Sequence, residues 1–134
     1  MAEYTTAFAV LAAHDLARAR AWYTDKLGLQ PVLSLEGMDT EVYVIGGAQV
    51  MLYQTPSAGT AKNTSLGIVV ADLRGTMAEL RSRGVVFEDY DMQDGPKTID
   101  GIAADETGGA AAWFADSEGN IINLVQLPPG FPLP

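Results

Sequence analysis

The sequence predicts an α+β fold built from two βαβββ modules. Three observations carry that prediction. A strand-like apolar segment runs into an Asp-Leu pair twice, at Phe8–Leu16 and again at Ser65–Leu73. Apolar residues at helical spacing follow each pair and stop at a glycine, Gly28 in the first half and Gly84 in the second. Both halves then close on related strand-like segments, Gly47–Gln54 and Gly119–Gln126.

The elements follow in order. Phe8 to Ala13 reads as a strand, and Asp15 as the N-cap of a helix beginning at Leu16, because its carboxylate can accept the unpaired amide hydrogens of the first turn. Leu16, Ala19, Trp22, Tyr23 and Leu27 form the buried stripe of that helix, and Gly28 supplies the left-handed residue that ends it. Strands are expected at Leu29–Leu35, Thr40–Ile45 and Gly47–Gln54, the middle one on its β-branched and aromatic content. Thr55 to Thr64, rich in Thr, Ser, Pro, Gly and Ala, is the connector. In the second half Asp72 caps a helix carrying Leu73, Met77 and Leu80, followed by strands at Val85–Tyr90, Ala110–Ala115 and Gly119–Gln126. Met92 to Gly108 reads as coil, since Asp94-Gly95-Pro96 is turn chemistry and the hydrophobic period lapses. The tail from Leu127 holds Pro128, Pro129, Pro132 and Pro134, so it is expected to be extended and outside any sheet interior. The expected organisation is one domain over 1–126, with modules at about 5–54 and 65–126, and a proline-rich tail over 127–134.

Composition removes several classes of function. The 134 residues suffice for one sizeable core and not for two independent domains. There is no cysteine and only one histidine, His14, so neither a disulfide framework nor a thiolate or His-rich metal site can be built. Eight Lys+Arg against 17 Asp+Glu give a net charge of −9, which repels phosphate backbones and anionic headgroups. Nucleic acid and membrane are therefore not expected partners. The apolar run Ala7–Ala13 is far shorter than the ~20 residues of a membrane span, and Glu3 precedes it without Lys or Arg, so a cytoplasmic location is expected.

Asp15-Leu16 followed by Trp22-Tyr23 and Lys26-Leu27-Gly28, with the closing run Trp113-Phe114-Ala115-Asp116-Ser117-Glu118-Gly119-Asn120-Ile121, resembles the vicinal oxygen chelate superfamily of glyoxalases, bleomycin-resistance proteins and dioxygenases. The resemblance spans Ala7 to Gln126. It implies that each module curls into a half-barrel and that paired modules form a cup. Members with metal chemistry carry ligands seven residues before each Asp-Leu and at the centre of each module's last strand. Those positions here are Phe8, Met51, Ser65 and Asn123. A phenyl ring and a thioether do not serve a hard divalent ion, and Ser and Asn offer only neutral oxygens. No metal and no cofactor is expected.

Strand alternation assigns the cup face. Phe8, Val10 and Ala12 share it, as do Gln49, Met51 and Tyr53, Ser65, Gly67 and Val69, and Ile121, Asn123 and Val125. Tyr43 is placed in the lining, and Glu41 beside it is either a cavity acid or a solvent-facing charge. Trp113 either stacks on a ligand or closes the core. His14, next to the cap, is expected to be exposed and structural. The expected ligand-binding set is Phe8, Val10, Tyr43, Gln49, Met51, Tyr53, Ser65, Trp113 and Asn123, with Glu41 and Tyr53 as candidate catalytic groups. The lining suits a hydrophobic or aromatic small molecule. The reading is a metal-independent binding protein, in the manner of the drug-sequestering branch and acting as a homodimer. The alternative is an enzyme that reuses the cup for an isomerase, cyclase or lyase step, or a metal-dependent lyase or dioxygenase.

Overall fold

Asp15 and Asp72 start the two helices. Each has extended backbone, and each carboxylate accepts an amide hydrogen three residues on, from Arg18 and from Gly75. Helix α1 runs Leu16–Leu27 and α2 runs Leu73–Ser82. Gly28, at φ +69°, donates back to Thr24 and closes α1 in the left-handed conformation that its missing Cβ permits. The first helical amide of each helix is satisfied by the same kind of residue at the end of its module. Gln54 Oε1 accepts from Leu16 N at 3.1 Å, and Gln126 Oε1 accepts from Leu73 N at 2.9 Å.

The computed structural model describes residues 2–131. It divides into two units, one comprising the chain up to Lys62 together with Asp116–Asn120, the other Asn63–Ala115 and the chain from Ile121 onward. The first unit holds β1 (Ala9–Ala13), α1, β2 (Leu33–Leu35), a short 3-10 turn at Glu36–Met38, β3 (Thr40–Ile45) and β4 (Ala48–Gln54). Its sheet order is β1-β4-β3-β2, with β1 parallel to β4 and the other pairs antiparallel. The second unit holds β5 (Thr64–Val69), α2, β6 (Ala103–Ala104), β7 (Ala110–Ala115) and β8 (Ile121–Gln126), in the matching order β5-β8-β7-β6. The α+β duplication is therefore present with the same topology in both halves.

In each unit the helix covers one sheet face. Leu11, Ala13, Val50, Leu52, Tyr43 and Tyr23 are buried in the first, and Leu73, Met77, Phe114, Ile122 and Leu124 in the second. Apolar burial of this kind contributes roughly 25 cal/mol per Å² removed from water. The loop Asp116–Asn120 is tied into the first unit by polar groups. Arg18 donates from Nε and Nη2 to the Glu118 carboxylate at 2.8 and 2.9 Å, and the same carboxylate accepts His14 N and Asp15 N at 3.0 Å. Tyr23 Oη donates to Asp116 at 2.6 Å, and Asn120 Nδ2 donates to Ala12 O at 2.8 Å.

Four local expectations need correction. The strand expected at Leu29–Leu35 is confined to Leu33–Leu35, because Pro31 has no amide hydrogen to offer a sheet. No strand forms over Val85–Tyr90; the backbone of that stretch meets β7 at the Phe87–Phe114 bridge and the Glu88 N to Trp113 O hydrogen bond. The expected coil Met92–Gly108 contains β6, which takes the other half of the same β7 edge by pairing Ala103 with Ala111 and Ala104 with Ala110. One sheet edge is thus shared by two short pieces of chain. The tail bends at Pro128–Phe131, where Phe131 N donates to Pro128 O; Pro132 and Pro134 lie outside the described residues.

Candidate functional site

The sheet face away from the helix in each unit carries the candidate site. In the first unit the register pairs Val10 with Met51 and Ala12 with Tyr53, and Val42 and Val44 lie opposite Met51 and Gln49. Paired residues project to one face, so these side chains form a single lining. It is open to solvent, with Val10 52%, Val44 46% and Tyr53 40% exposed. Phe8 lies just before β1 and borders, with Thr6, Gly47 and Gln49, a shallow depression of about 320 Å³. The lining is apolar, with the Gln49 amide and the Tyr53 phenol as its polar groups.

Tyr43 and Glu41 do not belong to it. Tyr43 pairs with Val50 and Glu41 with Leu52, which are core residues, so both side chains point toward α1. Tyr43 is 2% exposed, with its ring 5.5 Å from that of Tyr23. Its hydroxyl is buried without a hydrogen-bond partner among the described residues. Burial, and then the nearby Glu41 carboxylate, push the Tyr43 phenol up to about 12. Glu41 accepts from Ser34 Oγ and makes a 3.5 Å ion pair with Arg20. The alternation that placed Tyr43 in the lining carried no information about which of the two faces β3 turns inward. The aromatic pair with Tyr23 decides it.

In the second unit Gly67, Asn123 and Trp113 are register partners across β5, β8 and β7. Trp113 therefore lies on the open face, while Phe114 beside it is fully buried in the core. Its indole Nε1 donates to Thr64 Oγ1 at 3.2 Å, and the Tyr90 ring meets it edge-on at 5.6 Å. Asn123 Nδ2 donates to Ala112 O at 3.1 Å. A Cβ at Gly67 would meet nothing within 4 Å, so there is open space beside Asn123. Ser65 falls out of the alternation, because the register passes from Thr64–Ile121 directly to Leu66–Ile122 and leaves it as the extra residue of a bulge.

Thr64 takes the place on this face that the sequence reading gave to Ser65. Tyr90 was missed too, although alternation from the buried Phe87 puts residues 88 and 90 on the opposite side. Burial, then the hydrogen bond to Glu88, push the Tyr90 phenol up to about 12. His14 is exposed, and its backbone amide serves the Glu118 carboxylate.

The family model described as glyoxalase/bleomycin resistance protein/dioxygenase superfamily matches residues 5–124. The chain belongs to this superfamily. Compared with curated protein sequences, it matches none. Among solved structures, superfamily relatives share the fold at low identity. UcmS2 is 17% identical with a TM-score of 0.70, covering 92% of this chain and 98% of that one. The fosfomycin resistance protein FosX from Listeria monocytogenes is 12% identical with a TM-score of 0.68, covering 96% and 97%. Lactoylglutathione lyase from Agrobacterium tumefaciens is 16% identical with a TM-score of 0.67, covering 93% and 95%. At the superfamily's ligand positions this chain carries a phenyl ring, a thioether, a hydroxyl displaced by a bulge, and an amide bound to its own sheet. That donor set does not fit a divalent ion. Among the described residues no three His, Cys, Asp or Glu side chains converge as a metal site elsewhere.

Proposed function

We propose that this superfamily member binds a small hydrophobic or aromatic molecule without a metal ion, as in drug sequestration, where affinity alone suffices. One observation carries the reading: the open sheet face of the first unit presents Val10, Met51 and Tyr53, and that of the second Val69 and Trp113. Each has a few amide, hydroxyl or phenol groups, with Glu88, engaged by Tyr90, as the carboxylate beside Trp113. Such a surface holds an aromatic body by dispersion and stacking and orients it with a few hydrogen bonds. The net charge of −9 favours a ligand with a cationic group. The enzyme alternative loses Glu41, which faces α1; what the open faces keep is the Tyr53 phenol in the first unit and, in the second, the Glu88 carboxylate, which accepts a hydrogen bond from Tyr90.

A thermal-shift screen of aromatic and cationic antibiotics, followed by calorimetric titration of the best compound with and without EDTA, tests the reading. The expected result is unchanged affinity in EDTA and quantitative recovery of the compound by chromatography. Loss of binding in EDTA, or conversion of the compound, would overturn it.

A further inference from the structure

We infer that the second unit carries a separate ligand site, in the cleft between α2 and the 97–102 loop, for a small organic anion whose carboxylate or phosphate-ester head is joined to an apolar body. The chain has only eight Lys and Arg residues, yet Arg74, Arg81 and Lys97 all border this one cleft of about 540 Å³. Arg74, Met77 and Arg81 stand three and four residues apart on α2, so they form one stripe of the helix. The loop opposite contributes Lys97, Ile99 and Ile102.

The cleft is held in shape by hydrogen bonds. Arg81 Nη2 donates to Asp100 O at 2.9 Å, and its guanidinium lies 5.2 Å over the Phe87 ring. Asp89 accepts Thr98 Oγ1 at 2.7 Å and Gly101 N at 2.8 Å, while Ile99 and Ile102 exchange backbone hydrogen bonds at 2.9 and 3.1 Å. Asp100 is the one acidic residue on the wall. Arg81 and Asp89 are therefore occupied in building the site. Arg74 and Lys97 have no ion-pair partner among the described residues.

The apolar part is equally specific. Met77 is buried beneath the cleft, and Ile99 stands 81% exposed at its mouth, a large side chain left in water. An anionic head between Arg74 and Lys97 would make charge-assisted hydrogen bonds, and a short alkyl or aryl body would cover Ile99 and Ile102. The occupant is small because a polyanion or an anionic membrane would face the remaining charge of a −9 chain. The site lies on the helix side of its unit and does not depend on the sheet-face reading.

Titration of the full-length 15N-labelled protein with octanoate and with phenyl phosphate tests this, with octanamide and inorganic phosphate as controls. At least one of the two organic anions is expected to shift the amides of 74–81 and 97–102, and each control to bind about tenfold more weakly or less. Arg74→Gln with Lys97→Gln is expected to weaken the organic anion by about tenfold or more at an unchanged melting temperature, because neither side chain holds the fold. Which anion binds tells a carboxylate site from a phosphate-ester site. The site is overturned if neither anion shifts these amides, if a control binds equally well, or if the double variant binds normally. Shifts confined to Val10, Met51 and Tyr53 would also overturn it, while leaving the sheet-face reading intact.

Discussion

Glu118 is fully buried at its side chain, and burial opposes its ionisation. The Arg18 guanidinium, the Asp15 amide and the Ser117 hydroxyl outweigh that cost and hold the carboxyl down to about 2 from its ordinary 4.5. A carboxyl depressed in the folded state contributes stability above its unfolded pKa and loses it as pH falls toward the folded value. Stability is therefore expected to fall between about pH 5 and pH 2 by roughly 2 to 3 kcal/mol from this group. Chemical denaturation across that range should show a shallower fall for Glu118→Gln, which is itself destabilised at pH 7. Tyr43 makes the opposite case: its hydroxyl is buried and unpartnered, so Tyr43→Phe is expected to melt no lower than the native protein. On the open face, Tyr53→Phe is expected to weaken a hydrogen-bonded ligand by about 0.5 to 1.5 kcal/mol, and Phe8→Ala to weaken it further through lost apolar contact. Titration of variants that melt normally checks this, and equal affinity in both would refute the assigned face.

At the scale of elements, the helices were legible because their signals are local. An Asp cap, a 3.6-residue stripe and a terminal glycine lie within a few turns of one another. Asp72→Ala is expected to cost about 1 kcal/mol, measurable by denaturant titration, since only the Gly75 amide loses its cap. The strands at Thr40–Ile45 and Ala110–Ala115 were legible to the residue. The edge of β7 was not, because an edge accepts whichever backbone reaches it. Phe87 and Ala103 sit on the same edge although 16 positions separate them in sequence. The bulge at Ser65 was hidden for a related reason: one extra residue reverses the facing of everything before it and leaves no mark in composition.

For the whole molecule, the exposed apolar sheet faces lead us to expect a homodimer. Sedimentation equilibrium is expected to return about twice 14.2 kDa, and a monomer at micromolar concentration would contradict this. Elemental analysis after dialysis is expected to find no stoichiometric divalent metal, since the superfamily's ligand positions hold Phe8, Met51, Ser65 and Asn123. One equivalent of zinc, iron or manganese per chain would refute the donor-set argument.

The duplication and both helix caps were determined by the sequence itself, because each depends on residue type at short or repeated spacing. The facing of Glu41 and Tyr43 was decided only by tertiary structure. Both inward and outward choices satisfy the alternation of β3, and the choice falls to Tyr23 on α1 and to Arg20, which meet that strand only after the sheet has formed. The basic cleft on α2 is likewise a product of the fold. Lys97 lies 23 positions beyond Arg74, in a stretch without hydrophobic period, and no local rule brings the two together.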